Sequence, residues 1–322
     1  MKVKPALTTP LYICVIFILT SFSPSLISFA NSISANPFLS VAIIQFLVFL
    51  LPTAFYCQVR KIRFFGASGF KIKDINAVPL TIEGFLMYFA GIAILKYVGY
   101  FFLDGAYVNT PNAVDASVYG SNKLLVVICL IALPAILEEL VFRRVILGEY
   151  RMYGGGVAVI VSSLAFAMLH FSFENFLFYF YAGLVLGMLT VVCDSCLPAI
   201  ILHVANNAIN ITFEESFLVY IRQLGGMVVF LFALIAIFLI FLILMLSRAE
   251  HMYFRKSEHT RAGKRHALES RMIAAEPAGG DGGESGIELT FGKLPARLRE
   301  VFLSPTLFVM IAYFLLKAAE FL

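Results

Sequence analysis

Apolar residues run along this chain in nine blocks, at approximately 10–30, 38–57, 79–103, 123–147, 157–173, 175–193, 197–213, 225–247 and 301–322. None alternates with the period of two that a half-buried strand needs, and most are apolar on every side. At about 1.5 Å of rise per residue, a helix of ~20 residues crosses the ~30 Å of hydrocarbon in a bilayer. In lipid, only a helix or a closed barrel satisfies its own backbone groups. The pattern therefore predicts an all-α, polytopic membrane helical bundle of about nine transmembrane helices.

Charge supplies the orientation. Lys2 and Lys4 precede the first block, Arg60, Lys61, Arg63, Lys71 and Lys73 lie in the 58–78 loop, and Arg151 follows Arg143 and Arg144 before the fifth. The chain after residue 247 is again basic, whereas the loops at 31–37, 104–122 and 214–224 hold one basic residue, Arg222, among several acids. Basic loops stay inside, so the N-terminus is expected in the cytoplasm. The start of the first block also resembles a signal peptide, with "SFA" at 28–30 as a cleavage-like site, but a retained first helix is the simpler reading.

This layout divides the chain. Residues 1–122 hold three helices, 123–213 a four-helix polar-bearing core, 214–247 an eighth helix, and 301–322 a last one. Between these, 248–300 is a basic cytoplasmic segment expected to lie against anionic headgroups, with a flexible Gly-rich linker at 274–286. Its histidines, His251, His259 and His266, read as solvated side chains.

Composition agrees and removes other classes. Hydrophobic residues make up 61% of 322 and charged residues 14%, with a mean hydropathy of +0.91. A soluble domain has roughly 25% charged residues. The net charge of +4 sits in loops rather than in a basic stripe, so no nucleic-acid partner is expected. With no Trp, the 14 Tyr must supply the interfacial belt. The five cysteines form no disulfide framework, and Cys193 and Cys196 in "CDSC" read as small residues at a tight turn between helices rather than a redox or metal pair.

Polar residues inside the apolar blocks carry the chemistry. "PAILEELVFRRVIL", Pro134 to Leu147, places two glutamates where a charge at the bilayer centre costs at least about 2.5–3.5 kcal/mol. Adjacent helical residues point about 100° apart, so Glu138 and Glu139 cannot share a direction. Arg143 follows Glu139 by four residues, the favoured order for a carboxylate–guanidinium pair, and neutralises it within one helix. Glu138 has Phe142 at that spacing and is left free to react. Taken alone, the same residues also fit a buried ion pair that orients the helix. Pro134 removes a helical hydrogen bond one turn before Glu138. In "FAMLH", Phe166 and His170 share a face, and in "HVANN", His203, Asn207 and Asn210 form a second polar stripe. Counting rise from the inner loops puts Glu138 and His170 at roughly equal depth, about 20 Å in, with His203 and Asn207 shallower. One mid-membrane cluster suits peptide hydrolysis without a Ser or Cys nucleophile. Glu138 then deprotonates a water held by His170, and His203 and Asn207 meet the developing oxyanion.

In this order on successive helices, EExxxR (Glu138, Glu139, Arg143), FxxxH (Phe166, His170) and HxxxN (His203, Asn207) resemble the CPBP family of Abi-like type II CAAX prenyl endopeptidases and bacteriocin-processing relatives. The resemblance covers about 90 residues, from Pro134 to Asn210. It implies an intramembrane endopeptidase acting on a membrane-associated or lipidated peptide or protein. It assigns Glu138 and His170 to water activation, and His203 and Asn207 to oxyanion stabilisation. Glu139, Arg143 and Phe166 support them, and no cofactor is implied. Residues 1–120 and 248–322 are not covered, and the basic insert before the last helix is atypical. Two alternatives stand beside this reading. One is a zinc-dependent protease with Glu138, His170 and His203 as ligands. The other is a non-catalytic bacteriocin-immunity membrane protein.

Overall fold

The computed structural model describes residues 4–33, 36–62, 69–72, 74–102, 122–223, 227–274 and 294–320, and these are helical wherever they form regular structure. In chain order they give α1 (Pro5–Ser21), α2 (Ser23–Ile33), α3 (residues 37–60), α4 (Ala77–Phe102), α5 (residues 123–150), α6 (Gly155–Leu169), α7 (Phe176–Cys193), α8 (Leu197–Gln223), α9 (Met227–Ala274), α10 (Leu294–Phe302) and α11 (Pro305–Ala319). The expected loop at 104–121 and the linker at 275–286 lie outside the described residues, as do the side chains of His259 and His266.

Among the described residues, five helical stretches are long and apolar enough to cross a bilayer: Phe38–Arg60, Ala77–Gly99, Lys123–Tyr153, Phe176–Cys193 and Val228–Met252. A sixth is possible if the bent pair Pro5–Ser21 and Ser25–Ser32 counts as one span. Five or six of the expected nine are thus long enough among the described residues. The shorter apolar helices are Gly155–Leu169, Leu197–Ile211 and Pro305–Ala319. Fifteen residues rise only about 22 Å, short of the hydrocarbon core. The first block also differs from expectation, because its two helices meet at 66°. Pro24, in Ser23-Pro24-Ser25, has no N–H to continue the first helix. Conversely, α9 does not end at residue 247 but runs unbroken to Ala274, carrying the front of the basic segment with it. No proline interrupts that stretch, and its Ala, Arg, Lys and Glu favour helix.

The bundle packs α9 on α4, α6 on α7, and α1 on α11, with α5 closing on α6 and α8 on α7 and α5. The tightest crossing follows from two glycines. A Cβ on Gly183 would lie 2.9 Å from the Cα of Ser163, and one on Gly187 3.2 Å from Val159 Cγ1, so α6 and α7 approach almost backbone to backbone. Gly183→Ala is expected to force that crossing apart and cost about 1–3 kcal/mol. A lowered thermal midpoint in detergent tests this; an unchanged midpoint would show that the crossing has slack.

Ion pairs gather the basic loops at one end of the bundle. Lys4 Nζ meets Glu300 at 2.9 Å, Tyr153 donates to Glu300 at 2.8 Å, and Arg60 meets Glu149 at 2.7 Å. Ser304 at the start of α11 donates to the Ala6 carbonyl, 2.6 Å, joining the first and last helices there. The Lys4 ammonium and then the Tyr153 hydroxyl hold the Glu300 carboxyl below its ordinary range. On the α4–α9 pair, Arg248 meets Glu83 at 2.6 Å.

Candidate active site

Helix α5 begins on an Asn122 cap, whose side chain accepts from Leu124 and Leu125 N–H at 3.2 and 3.3 Å. Two π-helical turns, Val126–Ala132 and Leu140–Ile146, then flank the α-helical Leu133–Glu139 that Pro134 opens. π-turns are rare, and they recur where a helix must present a site. The glutamates stand at the end of that α-helical segment.

Glu139 is fully buried and paired twice. Its Oε2 lies 3.2 Å from Arg143 Nε, the expected i,i+4 pair, and its Oε1 lies 2.8 Å from His203 Nδ1. Because an ionised carboxylate only accepts, Nδ1 of His203 carries the proton of that bond. The ring's other nitrogen then turns toward Glu138, with Nε2 3.9 Å from Oε2. That is too long for a direct hydrogen bond. Glu138 keeps 14% of its side chain accessible, whereas Glu139 keeps none. Two adjacent residues thus occupy two environments, one closed and one open.

Phe166 joins these groups. The Arg143 guanidinium lies over its ring, 4.6 Å from the centroid. The edges or faces of Phe142, His170 and His203 meet it in T-shaped contacts at 5.4, 5.1 and 5.7 Å. Arg143 is further held by the Gly183 carbonyl, 3.4 Å from Nη2, which ties α5 to the α6–α7 crossing. His170 caps α6, and Phe171 after it takes φ 47°, a left-handed conformation uncommon for an aromatic residue that turns the chain away. Nδ1 of His170 lies 3.0 Å from the Phe166 carbonyl. That oxygen can only accept, so Nδ1 holds the hydrogen and Nε2 of the neutral ring is an acceptor. The imidazole stacks on Tyr179 at 3.5 Å and 13°, which fixes its plane.

From α8, Asn207 donates to the Ile131 carbonyl at 3.3 Å, beside the bond that Pro134 cannot make. This contact and the Glu139–His203 bond draw α8 onto α5 despite the shallower depth counted from its loop. Asn210 is only partly buried. Glu138, Glu139, Arg143, Phe166, His170 and His203 are therefore one cluster, and Asn207 borders it through α5. The spacing did not reveal that Glu139 bridges two helices, that Tyr179 backs His170, or that Asn206 is buried with an unpartnered Oδ1. For Asn206 a signal existed, since it is three residues from His203 and shares its face. For Tyr179 none did.

Cys193 and Cys196 are buried thiols flanking a turn in which Asp194 takes φ 51° and Ser195 accepts from the Leu197 N–H at 3.2 Å. Among the described residues, no three His, Cys, Asp or Glu side chains are grouped so as to hold a metal ion. In His170 and His203 alike, Nδ1 is engaged, with the Phe166 carbonyl and with Glu139 respectively.

Residues 120–209 match the family described as type II CAAX prenyl endopeptidase Rce1-like. Comparison with curated proteins and with solved structures gave no match. The match covers 90 of the 322 residues and contains all three motifs and every side chain of the cluster, so this stretch of the membrane chain is similar to that family of CAAX-type proteases.

Proposed function

We propose that the chain is an intramembrane endopeptidase that hydrolyses a peptide bond of a membrane-associated or lipidated protein with a water activated by Glu138. The observation that carries this reading is the division of labour between the two glutamates. Glu139 is spent on Arg143 and His203, while Glu138 is open and beyond direct hydrogen-bond reach of His203. A water bound between the Glu138 carboxylate and the His170 Nε2 acceptor would have both its protons engaged and its lone pair free. As its oxygen bonds to the scissile carbon, Glu138 takes one proton and later delivers it to the leaving amine. The carbonyl oxygen becomes an oxyanion. Asn207 meets it with the amide hydrogen not given to Ile131, and His203 with Nε2–H when the ring carries both protons. Glu139 serves by fixing the His203 ring.

The proposed setting is a bundle of nine passes with the N-terminus in the cytoplasm, supported by the gathering of Lys4, Arg60 and Glu300 at one end. The three short apolar stretches would then cross where the bilayer is thinned, and two of them, α6 and Leu197–Ile211 of α8, carry His170 and His203.

No metal takes part in this scheme. Cleavage by the purified protein is expected to continue in excess chelator, and His203→Ala is expected to lower turnover by roughly 10² to 10³ with little change in substrate affinity. Stoichiometric zinc that disappears in the His170 or His203 variants, with activity restored by adding it back, would overturn the scheme in favour of the zinc protease.

A further inference from the structure

Helix α5 presents its glutamates between two π-turns, and each turn is held by a side chain from another helix. In the first, the Ile128 carbonyl accepts the Leu133 N–H five residues on, and Asn207 of α8 donates to the Ile131 carbonyl at 3.3 Å. In the second, the Phe142 carbonyl accepts twice, from the Leu147 N–H five residues on and from Ser162 Oγ of α6 at 2.8 Å. Ser162 and its neighbour Ser163 are both fully buried, but they spend their hydroxyls differently. Ser163 donates back to its own helix, to the Val159 carbonyl at 2.7 Å, as a serine within a helix commonly does. Ser162 reaches across to α5.

A π-turn holds one residue more than an α-helical turn, because its bonds run from i to i+5 instead of i to i+4. Were the second turn to relax into α-helix, the segments on its two sides would rotate against each other by the angle of one residue, about 100°. The loop-side segment is not free to follow. Glu149 is held by Arg60 at 2.7 Å and by Tyr56 at 3.1 Å, and Arg151 by Asp194 at 2.6 Å. The rotation would therefore fall on Leu133–Glu139 and turn Glu138 and Glu139 away from His203.

We propose that Ser162 is a positioning residue: its hydroxyl pins the Leu140–Ile146 π-turn and so sets the direction in which Glu138 faces the site. This role rests on the proposed function, in which Glu138 activates water. With no accessible surface, Ser162 acts only through the backbone of α5.

The test compares Ser162→Ala with Ser163→Ala in the full chain in detergent. Each removes one hydroxyl from α6, and only the first removes the bond to α5. Hydrogen-exchange mass spectrometry reads the pin without any cleavage. Ser162→Ala should speed exchange roughly three- to tenfold in peptides covering Leu140–Leu147, and Ser163→Ala should not. With a quenched farnesylated CAAX peptide as probe, Ser162→Ala should lower kcat by a similar factor, about the worth of one hydrogen bond, at unchanged KM. Ser163→Ala should keep the wild-type kcat. Unchanged exchange in Ser162→Ala, or equal effects of the two variants, would overturn the pin. Faster exchange with a wild-type kcat, or a rise in KM alone, would overturn the positioning role. A wild type that leaves the probe whole counts against the proposed function, and exchange then decides the pin by itself.

Discussion

Replacing Glu138 with Gln is expected to abolish cleavage while leaving yield and thermal midpoint close to wild type. The amide keeps the size and one acceptor of the carboxylate but cannot take a proton, and removing a positioned general base costs roughly 10² to 10⁴ in rate. Stability should be spared because the ion-pair contact found for Glu138 among the described residues, to His203 Nε2, is 3.9 Å long. The measurement is a cleavage assay beside a thermal unfolding curve. A Glu138→Gln protein that cuts at the wild-type rate would remove Glu138 from the chemistry. One that is inactive in vitro but keeps full biological effect would favour the non-catalytic immunity reading.

Arg143→Gln is expected to be the most destabilising single change in the core. The wild-type guanidinium is buried among Glu139, the Phe166 ring and the Gly183 carbonyl. Its loss leaves Glu139 ionised in a closed site, and breaking one side of a buried pair costs about 3–5 kcal/mol. Glu139→Gln should be destabilising in the same way, because it strands Arg143, and should also release the His203 ring. A double Glu139→Gln, Arg143→Gln protein should recover part of the loss, because no charge is then left alone. Equal midpoints for all three variants and the wild type would show that the pair contributes nothing. Destabilisation by Glu138→Gln as large as by Arg143→Gln would reverse the assignment of roles.

Helix type and the Glu139–Arg143 pair are local properties, and the sequence determined both. Uninterrupted apolar blocks leave a backbone in lipid no option but helix. The four-residue offset of Glu139 and Arg143 makes their pairing a matter of one helix alone, and it is present at 3.2 Å. The packing role of Gly183 was likewise written in its spacing to Gly187. Span number was less legible, because apolar composition does not report length against a bilayer: α6, α11 and the apolar stretch Leu197–Ile211 of α8 are short. The basic segment after 247 misled for a related reason. Charge marks where a chain leaves lipid, but α9 continues through that point as helix, since nothing there breaks it.

The partners of the site residues were decided only by tertiary structure. His203 lies 64 positions from Glu139, and Tyr179 was not among the expected residues, yet one fixes a carboxylate and the other a ring plane. Contacts between helices depend on how α5, α6, α7 and α8 rotate and slide against one another. That is set by the close crossing at Gly183 and the registers of many side chains, none visible in a single helix's periodicity. The sequence could separate Glu138 from Glu139 because one helix decides which has an arginine. It could not say that His203 would hold Glu139, because that is a choice made between two helices.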